Sequence, residues 1–277
     1  MMATVLTHRF EHPDPQRYFN VEIEAINYLL ETSLSKHPKN PARLFSGAVN
    51  AAQLASFLDK PPAEAYSLLM TALDGAAAAF MLATIPDEPI QVSIAGHKVS
   101  YDTKRSKGAI DSHIWLEAVC WAMTLRRQEL IEQLKRVSLD TLRSSPTGID
   151  EYRHLLVTVV KAVIDEENAD KAIAAVREQM EIDGAVGTYD QILQAFLDGL
   201  EALAHQNQDS LCKALTKLLE AHQSYWRNRS WRNDPKGLLS PLALGLASLG
   251  YDRGLHCDVQ SGYMPEWLVR GNFLQEK

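Results

Sequence analysis

The stretch Glu151-Tyr152-Arg153-His154-Leu155-Leu156-Val157-Thr158-Val159-Val160-Lys161-Ala162-Val163-Ile164 decides the fold class. Tyr152, Leu155, Leu156, Val159, Val160, Val163 and Ile164 recur three and four residues apart, the spacing of one face of an α-helix. Ser144-Ser145-Pro146-Thr147-Gly148 breaks the chain before it. After it, Ile173, Val176 and Met180 mark a shorter helix, and Gly184 and Gly187 separate that one from a further pair. Ile192, Leu193, Phe196, Leu197, Leu200 and Leu203 mark one member of the pair. Leu211, Cys212, Leu215, Leu218, Leu219, His222, Tyr225 and Trp226 mark the other. The two helical hairpins start roughly 40 residues apart, within the range of α-solenoid repeats. Their sequences do not match, so the expectation is a solenoid-like array of helical hairpins and not a sequence repeat.

The N-terminal side reads the same way. Phe19, Ile23, Ile26, Leu29 and Leu30 predict a helix over 15–35, ended by Pro38 and Pro41. A second is expected over 42–58. Pro61-Pro62 opens a third, which carries the run Ala76–Ala79 and which Pro86 stops. One good β signal follows. Ile90, Val92 and Ile94 alternate with polar residues, Ala95-Gly96 can turn, and Val99 and Tyr101 alternate again, so a two-residue loop pairs Val92 with Val99 and Ile90 with Tyr101. Lys104–Gly108 reads as a basic loop. Asp111 or Ser112 caps a long, central helix expected to reach Val137. Ser240-Pro241 opens a short helix to about Gly250, and Leu255–Val259 is a short strand candidate. The fold class is therefore all-α with one small β-hairpin near residues 90–101. No linker divides the chain, so a single helical domain over 1–277 is expected.

Composition narrows the function. The 277 residues are 46% hydrophobic and 23% charged, enough apolar material for a sizeable core. The formal net charge of -7 argues against general nucleic-acid binding, which needs a basic surface to displace counterions from phosphates. An acidic chain can instead attract a basic protein. The N-terminus shows no basic segment followed by a long apolar run, so a cytoplasmic location is expected. Leu68–Ile85 is the most apolar stretch, but it contains Asp74 and reads as a core helix and not as a membrane span. Cys120, Cys212 and Cys257 are odd in number and lack CxxC spacing, which argues against a disulfide framework or a zinc site; Cys120 and Cys212 read as small buried hydrophobes.

A search for catalytic chemistry returns little. No nucleophile elbow, phosphate-binding glycine loop or zinc-protease motif is present. Glu151-x-x-His154 has the spacing of a carboxylate-bundle ligand pair, but a second copy is missing, and both residues read as a solvated helix edge. His113 with Glu117 reads as a local polar contact. In His256-Cys257-Asp258, neighbours on a strand point to opposite faces, so His256 cannot serve Cys257 as a base and only a distant histidine could. No catalytic residue, metal or cofactor is expected.

Two features suit protein binding. Asp165, Glu166, Glu167 and Asp170, followed by Glu178, Glu181 and Asp183, form an acidic cluster. Its plain reading is a solvated face, and its functional reading is a patch that meets a basic partner. The segment His222–Arg232 interleaves Tyr225, Trp226, Arg229 and Trp231. These are the residue types that dominate interface hot spots, although Trp226 also ends a core stripe, with the arginines reaching nearby carboxylates.

Four blocks together resemble the Immunity protein 49 family of bacterial polymorphic toxin systems. They are Ala76–Phe80 leading into the hairpin; Asp111 and Trp115 opening a helix that continues through Ala118, Ala122 and Arg126; Leu219–Trp226 with its His222-x-x-Tyr225-Trp226 ending; and Leu242–Leu244 through Tyr251-Asp252-Arg253-Gly254 to Tyr263–Leu268. Their order and spacing agree over about residues 65–270. The resemblance implies an all-α fold and a non-enzymatic role in self-protection: binding a cognate toxin domain, with no direct nucleic-acid or membrane partner. It carries no catalytic residue. Asp111, Trp115, Arg126, His222, Asp252, Arg253 and Gly254 are the family-like positions, and a structural role is implied for them, Asp252-Arg253-Gly254 closing the last helix. The rival readings are a helical scaffold without a toxin partner and an immunity enzyme that reverses a toxin's modification.

Overall fold

The computed structural model describes residues 3–37, 39–84, 89–101 and 110–274. Lys104–Gly108, Pro38 and Pro86, assigned above to a basic loop and to helix stops, lie outside the described residues. The structure is 67% helical. The chain folds into two compact units. One contains residues 12–118 and 128–148, the other residues up to Glu11, Val119–Arg127 and the chain from Ile149 onward. Each unit is assembled from separated segments, which is why no linker shows in the sequence.

In the first unit, α1 (Pro15–Tyr28) starts at Asp14, whose carboxylate accepts the Arg17 N–H at 2.9 Å. Beyond Tyr28 the backbone passes through a π turn and a 3-10 turn to Lys36, so the expected helix over 15–35 is α-helical only up to Tyr28. α2 (Asn40–Phe57) and α3 (Pro62–Thr84) pack along one another. At Gly75 a Cβ would sit 2.8 Å from the Pro41 carbonyl oxygen, so the helices meet there backbone to backbone. Among the described residues, α3 is the one helix long and apolar enough to cross a membrane; Leu69, Leu73, Phe80 and Leu82 on it are buried. The hairpin forms as expected: β2 (Ile90–Ile94) and β3 (His97–Tyr101) pair Val92 with Val99 and Ile90 with Tyr101. It is anchored on helices, with the Ala95 N–H donating to Asp74 and the Tyr101 hydroxyl to the Leu34 carbonyl.

The expected long helix from Asp111 to Val137 is instead two, α4 (Ser112–Thr124) and α5 (Gln128–Lys135), with α6 (Leu139–Arg143) after them. The break lies at Arg126, whose φ of 55° is left-handed, and the next N–H, on Arg127, donates back to the Ala122 carbonyl.

The second unit carries α7 (Glu151–Ile164), α8 (Asp170–Ile182), α9 (Thr188–Ala204) and α10 (Gln208–Trp226) as an up-down-up-down array. Each turn between them uses one left-handed residue: Glu166 (φ 57°), Gly184 (φ 65°) and Gln206 (φ 50°). In each case the following N–H reaches a carbonyl five residues back, which satisfies an orphan acceptor of the helix end. Phe196, Leu200, Leu215, Leu218 and Leu219 fill the array's core. α11 (Pro241–Asp252) is buried along most of its length and meets α4 at Gly245, where a Cβ would come within 2.9 Å of the Cys120 Cα. The strand expected over Leu255–Val259 reduces to β4 (Val259–Gln260), paired in parallel with β1 (Ala3–Thr4); α12 (Glu266–Val269) follows.

The cysteine expectation is overturned. Cys212 and Cys257 form a disulfide, although 45 residues separate them, because the tail after α11 runs back over α10. Cys120 is buried in α4, as expected.

Candidate functional site

The alternation of α7–α10 gathers chain segments at two ends of the array. One end collects the start of α7, the close of α8, the start of α9 and the close of α10; the other collects the remaining termini. The 14 residues of α7 span about 20 Å at the α-helical rise, so features at the two ends are separate.

At the first end, Tyr152 is buried and donates its hydroxyl to Asp190 at 2.5 Å, while its backbone N–H reaches Asp183 at 3.4 Å. Burial, reinforced by the Asp190 hydrogen bond, pushes the Tyr152 phenol well above its ordinary range, so it stays a donor. Arg153 donates to the Tyr152 hydroxyl at 3.0 Å and pairs with Asp150 at 3.2 Å and Asp190 at 3.4 Å. Its guanidinium also lies over the Tyr189 ring, 5.2 Å from the centroid. From Tyr189 the aromatic contacts continue. The Tyr225 ring meets it edge-on at 5.5 Å, and Trp231 stacks on Tyr225 at 6.4 Å with planes 9° apart. Trp226 stands perpendicular to Tyr225 and covers Gly237, where a Cβ would be 2.6 Å from the indole. Arg229 is exposed, and Trp231 is 45% exposed. At the same end of the array, Ile182, the last residue of α8, and Val186, in the α8–α9 connection, are 69% and 84% exposed. A connection this short (Asp183–Gly187) cannot fold back to cover them.

Arg232 pairs with Glu11 at 2.8 Å, as expected of arginines in this segment. Beneath the ladder His222 is fully enclosed. It shares a hydrogen bond with the Gly237 carbonyl at 3.1 Å and packs edge-on against Tyr263 at 4.7 Å. Burial pushes its pKa down to about 3, so the imidazole is neutral. The Tyr263 hydroxyl accepts the His8 backbone N–H, and burial pushes that phenol up to about 12.

The acidic cluster is split: Asp165, Glu166, Glu167 and Asp170 lie at the other end and do not join the ladder, whereas Asp183, after α8, lies at the first end and accepts the Tyr152 N–H. Asp165, Glu166 and Glu167 follow α7 and are exposed. Glu166 faces Arg253 at 3.7 Å, and Asp170 sits 2.9 Å from the His205 imidazole. Over a wider span, residues 150–209 hold thirteen Asp and Glu against four Lys and Arg, more than the whole chain's net negative charge. The array is therefore an acidic body that bears an exposed aromatic end.

The family-like positions hold the fold together. Asp111 caps α4, accepting the Ile114 N–H at 2.9 Å, and the buried Trp115 donates to the Leu134 carbonyl. Arg126 donates to the carbonyls of Thr124, Leu268 and Val269 and to Asp252 at 2.9 Å. Arg253 donates to the Val163 carbonyl at 2.7 Å, and Gly254, at φ 80°, ends α11. His154, read above as a solvated edge, is buried instead, since α7 packs on more than one side. Among the described residues no group of three His, Cys, Asp or Glu side chains is placed to hold a metal. Arg153, Tyr189 and Asp190 were not singled out in the sequence, and Tyr152 was read there only as part of a core stripe. Only their shared distance from helix termini marks them, and that becomes readable once the array's turns are known.

These features define a helical protein with an exposed aromatic end. The sequence model of the Immunity protein 49 family matches residues 57–268, and the chain belongs to that family. No curated protein and no solved structure matches the chain.

Proposed function

We propose that this protein neutralises a cognate toxin by forming a stoichiometric complex with it in the cytoplasm, without catalysis, cofactor, nucleic-acid partner or membrane. The observation that carries this reading is the aromatic end of the α7–α10 array in a member of an immunity family. Trp231, Tyr225 and Arg229, with Ile182 and Val186 at the same end of the array, supply the residue types and the apolar exposure of an interface centre. The acidic body around them favours a basic toxin domain, with Asp165, Glu166, Glu167 and Asp170 contributing to steering at the far end and not to the central contact. An interface of standard size, about 1,600 Å² in total, supports tight binding from such a centre.

The test is co-expression of the toxin domain encoded beside this chain, with wild-type protein and with Trp231→Ala/Tyr225→Ala. Wild type restores growth and the double variant does not, although it folds. Equal rescue by both would remove the aromatic end from the interface. Rescue at substoichiometric protein would favour an immunity enzyme. No rescue from any neighbouring toxin would favour a helical scaffold.

A further inference from the structure

The Cys212–Cys257 bond ties two elements of unequal rigidity. Cys212 lies in the second turn of α10, whose neighbours Leu211 and Leu215 are fully buried. Cys257 lies in Leu255–Asp258, an irregular segment between the Gly254 cap and β4. Hydrogen bonds of the Leu255 N–H to Gly250, of the His256 N–H to Gln208 and of the Ala3 N–H to the Asp258 carbonyl run along this segment. It also forms one wall of a cleft of about 690 Å³, with Leu211, Leu215 and Thr4–Thr7 on other sides. Both cysteines are half-buried, so neither is sealed in the core. Accessible disulfides of this kind exchange with small thiols.

We propose that Cys212–Cys257 is a redox latch. Closed, it fastens Leu255–Asp258 to α10 and, through β4, holds β1 in place. Opened, it releases that wall of the cleft together with the N-terminal strand, while the α7–α10 core stays folded. Opening consumes two molecules of a low-molecular-weight thiol. The first thiolate attacks one sulfur, forming a mixed disulfide and expelling the other cysteine, which takes up a proton. The second attacks the mixed disulfide, releasing the remaining cysteine as a thiol and leaving as the small-molecule disulfide. The two electrons pass to the protein, and a small disulfide reverses the sequence.

The latch reaches the aromatic end through the N-terminal segment. Beyond β1, the Leu6 carbonyl accepts from Gln223 at 2.7 Å, and Glu11 holds both the Asn233 side chain and Arg232. Releasing β1 therefore loosens the support of the segment that carries Trp231. This last consequence rests on the toxin-binding reading above; the latch itself does not.

The test uses the full chain alone, equilibrated in reduced and oxidised glutathione, alkylated, and weighed intact. Amide exchange is followed in parallel. Without denaturant, the reduced protein gains two alkyl groups. Its peptides over 3–11 and 255–262 exchange about tenfold faster, while peptides from α9 and α10 keep their rates. Cys257→Ser shows the fast exchange in both buffers; should that variant fail to fold, the alkylated wild type serves in its place. A bond that resists reduction unless the protein is unfolded would overturn the latch. So would a reduced protein with unchanged exchange, or one whose exchange rises throughout.

Discussion

Arg126→Ala is the substitution expected to damage the fold most per atom removed. Arg126 is the left-handed residue that ends α4, and its side chain is only 16% exposed. The guanidinium fork satisfies three backbone carbonyls, two of them in the C-terminal segment at Leu268 and Val269, and pairs with Asp252. Hydrogen bonds to a charged group contribute about 1.5–3 kcal/mol each, and an acceptor left without a partner forfeits about 1 kcal/mol or more. Asp252 is 43% exposed, so its ion pair adds under about 1 kcal/mol. Water reaches part of the vacated space, which brings the expected loss to about 3 kcal/mol. That corresponds to a fall in Tm of about 6–12 °C for a protein of this size. Arg126→Lys keeps the charge but cannot fork to three carbonyls, and is expected to lose about 2 kcal/mol. Arg126→Gly removes the same contacts yet relieves the left-handed backbone, so it should be about 1 kcal/mol less damaging than alanine. Urea denaturation followed by far-ultraviolet circular dichroism measures all three. An alanine variant within about 0.5 kcal/mol of wild type, or a glycine variant worse than alanine, would refute the reasoning.

Trp231→Ala removes a half-exposed ring and should change stability by under about 0.5 kcal/mol while weakening partner binding at least about 30-fold, read by calorimetry against an inactivated toxin. Gly237→Ala drives a methyl into the Trp226 indole and should cost about 1–3 kcal/mol, read as a lower urea midpoint. His222 supplies a pH dependence. Its folded pKa of about 3 lies below the unfolded value of 6.5, so the unfolded chain binds more protons between them. Stability is then full above pH 6.5 and falls as pH drops toward 3, by up to about 1.4 kcal/mol per pH unit. His8, also shifted down by burial, acts in the same direction. His222→Gln should flatten the dependence between pH 6.5 and 5, and an unchanged slope would assign it to other groups.

The helices were legible because their apolar residues keep strict period: Tyr152, Leu156, Val159, Val160 and Val163 are all buried as the spacing requires. The hairpin was legible because alternation and a two-residue turn fix its register. The break at Arg126 was not, because the left-handed position there is filled by arginine and not glycine, and the apolar period runs on through Leu130 and Leu134. Glu166 and Gln206 close their helices in the same unmarked way. The disulfide escaped because proximity of Cys212 and Cys257 depends on the tail's return path. Of the candidate site, Tyr225, Trp226, Arg229 and Trp231 stood out by composition. Their partners Arg153, Tyr189 and Asp190 did not, and Tyr152 was legible only as a core residue, since it takes antiparallel packing to bring four distant helix ends together. The same packing separates Asp165, Glu166, Glu167 and Asp170 from the ladder by the length of α7.

The most direct test of the account is size-exclusion chromatography, with calorimetry, of the purified full chain and the catalytically inactivated toxin domain encoded beside it. The account predicts a stable one-to-one complex that Trp231→Ala/Tyr225→Ala weakens. A chain that protects cells from that toxin yet forms no complex with it would contradict the account.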